Sequence, residues 1–224
     1  MNFQTYSHRH AKEIICQTKN YHDVYKELVS VIESISDFDL IKDFYGRGEK
    51  RGKSLSKSIN TILKERLIEK KWDAESKIFK PLEYKNPWKL DFSKHPFSME
   101  VAFNHGEATA WNLMKPVIAS EINHVEKEFQ TEIGIIILAN KNLKSKGGFD
   151  GTVKTFESIE NFLLPLRSYL TIPILIIGLD APRSFLINTE LRKSQKGSKL
   201  GMVMKNNKIV ELEEFQDAPK MFIE

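Results

Sequence analysis

The segment Glu132–Ala139, EIGIIILA, constrains the fold more than any other stretch of the 224-residue chain. A strand wetted on one face alternates apolar and polar residues. This β-branched run does not alternate, so both of its faces need cover. It is far below the roughly 20 apolar residues that span a bilayer. A second run of the same kind, Ile172–Leu179, follows after a helical interval. Two fully apolar strands separated by helix predict an α/β sheet covered by helices.

The flanking segments fit that plan. Tyr21–Ile35 sets Val24, Leu28, Val31 and Ile32 on one helical face, and Ser56–Trp72 does the same with Ile59, Ile62, Leu63, Leu67 and Ile68. Lys42–Ser54 between them, with three glycines and dense charge, reads as a loop. Trp88–Phe92 and Phe97–Asn104 read as short strands around Pro96. A helix is expected from Gly106 and Glu107 to about Phe129, interrupted at Pro116. Lys141–Gly151 reads as a loop and Thr152–Leu170 as a helix. Hairpin strands are expected near Phe185–Asn188 and Met202–Val210. The length suits one domain over 1–224. Its parts are N-terminal helices and a basic loop (1–75), an α/β core (76–182), and a basic region with an acidic tail (183–224).

Composition excludes several classes. With 41% hydrophobic and 29% charged residues the chain is not disordered. The single cysteine, Cys16, forms no intramolecular disulfide and no multi-cysteine zinc site, and it reads as a buried small residue of an N-terminal helix. Met1–Lys12 is polar and carries no apolar targeting core, so a cytoplasmic protein without membrane contact is expected. Gly52-Lys53-Ser54 lacks the first glycine of a phosphate-binding loop, because Arg47 stands there. His8 and His10 have no visible third ligand.

The chemistry concentrates in Leu90–Asn104, LDFSKHPFSMEVAFN. Asp91 ends one short strand and Glu100 lies in the next. Neighbouring strands lie about 4.8 Å apart, close enough for two carboxylates to converge on one cation. With a backbone carbonyl and water they make an oxygen site suited to Mg²⁺. The same pair is also what two solvated acids on a hairpin look like. Strand alternation sends Val101 and Phe103 into the core and turns Glu100 and Ala102 to the other face.

This segment resembles the BglII/BstYI group of type II restriction endonucleases, within the PD-(D/E)XK nuclease superfamily. Leu90-Asp91-Phe92, seven residues, then Glu100-Val101-Ala102-Phe103 looks like that group's Asp-Phe…Glu-Val-Gln-Phe. Ile59–Trp72 looks like its helix before the site, and Ile133–Leu138 and Pro173–Gly178 look like its later core strands. The likeness covers roughly residues 20–182. It implies a restriction-endonuclease-like α/β fold, with a central mixed sheet flanked by helices and basic peripheral loops. It also implies a homodimer that hydrolyses both strands of a short palindromic double-stranded DNA site with Mg²⁺, leaving 5′-phosphates. Asp91, Glu100 and Val101 would hold the metal. A cognate DNA methyltransferase is expected in the same system, without direct contact.

Ala102 departs from the pattern. The superfamily places Lys there and this group Gln, to orient the attacking water. Glu107 is the first candidate to fill in, followed by Asn104 and His105. A sequence-specific DNA-binding protein with a degenerate nuclease core is the alternative.

Charge marks where DNA would lie. The formal net charge is only +4. Residues 42–57 nevertheless hold six Lys/Arg against two acids, and residues 183–208 hold seven against one. Arg47, Lys50, Arg51, Lys53, Arg183, Arg192, Lys193, Lys196 and Lys199 are the candidate phosphate contacts, with Lys94 between the two acids. Ser54, Ser56, Asn188, Thr189, Ser194, Gln195 and Ser198 add neutral donors and acceptors for reading bases. The helix from Glu107 to Phe129 is the candidate dimer interface.

Overall fold

The computed structural model describes residues 1–80, 88–121, 127, 130–193, 197 and 199–213, without the side chain of Arg192. The chain opens with β1 (Phe3–His8), α1 (Ala11–Gln17), α2 (Lys19–Ser34), α3 (Asp37–Gly46) and α4 (Ser56–Glu69). The central part is β2 (Asp73–Lys77), β3 (Lys89–Lys94), β4 (Phe97–Val101), α5 (Thr109–Ser120) and β5 (Ile133–Ala139). Then follow α6 (Lys141–Lys146), α7 (Glu160–Leu166), β6 (Ile174–Leu179) and the strands β7 (Leu186–Lys193), β8 (Lys199–Lys205) and β9 (Lys208–Ile209). None of the described helices is long and apolar enough to cross a membrane.

Six strands form one mixed sheet in the order β1-β6-β5-β4-β3-β2. The pairs β4–β5 and β5–β6 are parallel, and β1, β3 and β2 join antiparallel at the flanks. Every residue of β5 and β6 is buried, as their unbroken apolar runs require. One face of the sheet packs Phe97, Met99, Val101, Ile135, Ile137 and Ile177 against Leu28, Ile32, Leu40, Phe44, Ile59 and Leu63 of α2, α3 and α4. The other packs Ala102, Ile136, Leu138, Ile174 and Ile176 against Leu113 and Val117 of α5 and Leu163 of α7. Gly134 is needed where α5 crosses β5, since a Cβ there would lie 2.8 Å from the Cβ of Pro116. A separate three-stranded sheet, β7-β8-β9, follows.

Several segments differ from the sequence reading. The polar N-terminus carries an edge strand, β1, whose burial alternates because only one face is covered. Polar β2, DAESK, is the opposite edge and alternates for the same reason. Lys42–Gly46 continues helix α3 rather than opening a loop, because Leu40, Ile41 and Phe44 bury together and a Ser36/Asp39 capping box starts the helix. The segment 141–151 begins with the short helix α6, capped where the Asn140 side chain accepts from the Leu143 N–H at 2.8 Å. The helix expected to reach Phe129 ends at Ser120, and residues 122–126 and 128–129 lie outside the described residues. Cys16 is exposed rather than buried, since α1 turns Ala11 and Ile15 to the core instead.

Candidate active site

The parallel strand β4 ends at Val101, beside the antiparallel strand β3. Their register pairs Phe92 with Met99, so the next cross-strand pair is Asp91 and Glu100. There the side chains take over the main-chain bonding. The Asp91 Oδ2 accepts the Val101 N–H at 2.8 Å, and the Asp91 N–H donates to Glu100 Oε1 at 3.3 Å. Both carboxylates line a cleft of about 400 Å³. The cleft is completed by Ser56, Asn60 and Lys64 from α4, Glu75 from β2, Asn104 after β4, and Asn112 and Lys115 from α5.

Glu100 is only 2% exposed. Burial raises its carboxyl, the charge of Asp91 raises it further, and Lys115 opposes both, leaving it at about 8. Lys115 reaches Glu100 Oε2 with its Nζ and also donates to the Lys89 carbonyl at 3.1 Å. On the rim Lys64 pairs with Glu75 at 2.8 Å, and Asn112 Nδ2 donates to Asn104 Oδ1 at 3.0 Å.

A hard divalent cation fits this donor set. Two carboxylates and the Val101 carbonyl offer oxygen alone. Buried Glu100 is set against Asp91, and a cation placed between them relieves the burial and repulsion that raise its carboxyl. Among the described residues no group of three or more His, Cys, Asp or Glu side chains could hold a metal ion. The remaining positions around a cation would therefore fall to backbone, water and phosphate oxygens.

The other expected residues separate. Asn104 lines the cleft; Glu107 and His105 do not. Glu107 is exposed at the start of a short 3-10 turn, and His105 Nδ1 bonds Thr152 Oγ1 at 2.6 Å. Lys94 lies at the turn end of β3, where it pairs with Glu27 and donates to the Lys70 carbonyl, apart from the cleft. Arg51 is 5% exposed, so it is not free to meet a phosphate. It donates to the carbonyls of Gly201 and Gly48 and to the Met202 sulfur, and it lies over the rings of Phe44 and Tyr45. Arg47 pairs with Asp43 and also donates to Thr61. Lys53 pairs with Asp150, and Lys199 with Glu190. Arg183 is exposed and donates to Asn2. Lys50 and Lys193 are exposed. Arg192 has only its backbone described, and Ser194, Gln195, Lys196 and Ser198 lie outside the described residues.

Arg51 does settle one matter of organisation. Its bond to Gly201 and the Gly201 N–H to Gly52 carbonyl bond join the two basic segments, about 150 residues apart, into one surface. That surface adjoins the cleft through Ser56. Sequence reasoning missed Asn60, Lys64, Glu75, Asn112 and Lys115. For the last two a signal existed: Asn112 and Lys115 stand at i, i+3 in a helix otherwise rich in apolar residues.

A family model described as restriction endonuclease BglII/BglIII matches residues 3–179. The three-stranded sheet lies beyond the match. No curated protein matches the sequence. Among solved structures, restriction endonuclease BglII complexed with a DNA 16-mer aligns with a TM-score of 0.61 at 18% identity, over 92% of this chain and 91% of that one. Free BglII aligns with a TM-score of 0.50 at 17% identity, over 92% and 95%. At such identities the likeness is one of fold.

Proposed function

The chain belongs to the BglII/BglIII family of restriction endonucleases, and from that premise we propose that it is a Mg²⁺-dependent type II enzyme cutting double-stranded DNA at a short palindromic site. The observation that carries the reading is the opposition of Asp91 and Glu100 in a polar cleft at the open end of β3 and β4. When bound there, Mg²⁺ supplies positive charge against the scissile phosphate and makes water a better nucleophile at neutral pH.

The chain's own residues prepare that chemistry. Asp91 is held by the Val101 N–H, so one carboxylate oxygen is fixed and the other is left for a cation. Glu100 is buried among β4, β3 and α5, where its orientation is set by Lys115 and the Asp91 N–H. The burial of Glu100 and Lys115 strengthens the charge contact between them. Lys50 and Lys193, on the joined basic surface, are the proposed phosphate contacts, with Arg183, Lys53 and Lys199 able to exchange their present partners for DNA. Hydrolysis leaves 5′-phosphates in this reading. A homodimer follows from the two-fold symmetry of a palindrome, and a partner methyltransferase protects the host's own sites in a cytoplasmic system.

Ala102 favours a second reading, a DNA-binding protein whose nuclease core is degenerate. Purified protein with Mg²⁺ and plasmid, followed by sequencing of the ends, decides between them. Discrete fragments with 5′-phosphates support the enzyme. Intact plasmid with a discrete gel shift supports the second reading.

A further inference from the structure

We propose that Lys115 supplies the polar group that position 102 lacks, delivering an ammonium to the reacting phosphate from α5 rather than from β4. The proposal rests on the nuclease reading and deepens it.

Three observations carry it. The first is placement. Glu100 and Ala102 share the face of β4 that α5 covers, and Ala102 is 4% exposed in the same apolar cluster as Leu113 and Val117 of α5. A methyl group there donates nothing, while Lys115, three residues after Asn112 on α5, enters the cleft and reaches Glu100. The second is the donor count. An ammonium has three N–H groups. Lys115 spends one on Glu100 Oε2 and one on the Lys89 carbonyl, which leaves one for the cleft it lines. The third is cost. The Lys115 side chain is 13% exposed, and burying an ammonium beside a carboxylate is a poor way to gain stability. A hydrophobic residue would sit at that largely enclosed position at lower expense. The charge is explained by a negative reacting group that enters the same space. Held by Glu100 and Lys89, the remaining N–H is fixed for a phosphate oxygen or the attacking water.

The competing role is purely local: Lys115 neutralises Glu100 until a metal displaces it. The two roles part on Lys115→Met. The measurements are plasmid cleavage in Mg²⁺, DNA affinity in Ca²⁺ by gel shift, and Mn²⁺ affinity of the protein alone by electron paramagnetic resonance. The proposal expects cleavage to fall at least about 100-fold, with DNA and Mn²⁺ held no more weakly than by the wild type. Adding Ala102→Lys to Lys115→Met then restores cleavage at least about tenfold, because an ammonium re-enters the same face from β4. Wild-type cleavage by Lys115→Met overturns the proposal, and so does collapse of Mn²⁺ binding, which would make the lysine a support of the acid pair. Failure of Ala102→Lys to rescue also overturns it. Should Lys115→Met not fold, Lys115→Leu, which removes the charge and every donor while keeping an apolar side chain of moderate size, is read in the same way. A wild-type protein that cuts no DNA overturns the nuclease reading itself, an outcome distinct from the loss of the proposal alone.

Discussion

Asp91 donates its backbone N–H to the Glu100 carboxylate at 3.3 Å, at the point where the ladder between β3 and β4 gives way to side-chain bonding. In return the Asp91 carboxylate takes the Val101 N–H at 2.8 Å. The two acids are thus held by the same strand ends that they help to close. Neither is the freely solvated hairpin acid that the sequence equally allowed.

Asp91→Asn tests the acid pair with little disturbance of shape. Its amide oxygen still accepts from Val101, so the fold is retained, while the charge offered to a cation is lost. Cleavage is expected to fall at least about 100-fold with DNA binding preserved, a loss on the scale of a positioned catalytic group. Comparing cleavage rates with gel shifts checks it; undiminished cutting would remove Asp91 from the site.

Glu100 makes stability depend on pH. Its carboxyl titrates at about 8 in the fold against an ordinary 4.5. Between those values the folded state retains a proton that the unfolded state has released. Stability without metal therefore falls as pH rises from about 4.5 to 8, by at most roughly 1.4 kcal/mol per pH unit, and levels off above. Thermal melting across that window should show the decline in the wild type and a flatter profile in Glu100→Gln. Added Mg²⁺ should flatten the wild-type profile too, since a cation favours the ionised carboxylate.

Arg51 and Lys50 are neighbours in sequence with opposite expected behaviour. Arg51→Ala leaves two carbonyls without their donor and uncovers Phe44 and Tyr45. A loss of about 2–4 kcal/mol is expected, or roughly 5–15 °C in Tm for a chain of this size. Lys50→Ala, at an exposed position, should leave Tm within about 1–2 °C. If Lys50 meets phosphate, the same change lowers the salt dependence of DNA binding by about one ion. Calorimetry and salt-titrated binding separate the two residues.

Glu107→Ala is expected to cut at nearly the wild-type rate, because the side chain is exposed and lines no part of the cleft. A drop of about tenfold or more, the scale of a general acid or base, would bring it back into the site.

Much of the architecture was legible in local pattern. The runs at Ile133 and Ile174 could only be two-faced strands, and the apolar stripes of α2 and α4 could only be helices against them. Edge strands β1 and β2 escaped, since a strand that buries one face and completes a sheet needs no apolar run to mark it. In the site, Asp91 and Glu100 were visible because one hairpin holds both. For Lys115 the i, i+3 spacing with Asn112 marked a polar stripe on α5, but not that the stripe meets Glu100.

The sequence by itself determined which strands are buried on both faces, which two acids share a hairpin, and that position 102 carries no polar group. Each of these follows from neighbours a few residues apart. Only the tertiary structure decided that Arg51 fastens two basic segments instead of lying free, that Glu107 stays outside the cleft, and that α5 lays Lys115 against Glu100. Those are contacts between residues distant along the chain, and they are set by how helices pack on a sheet, which no local spacing encodes.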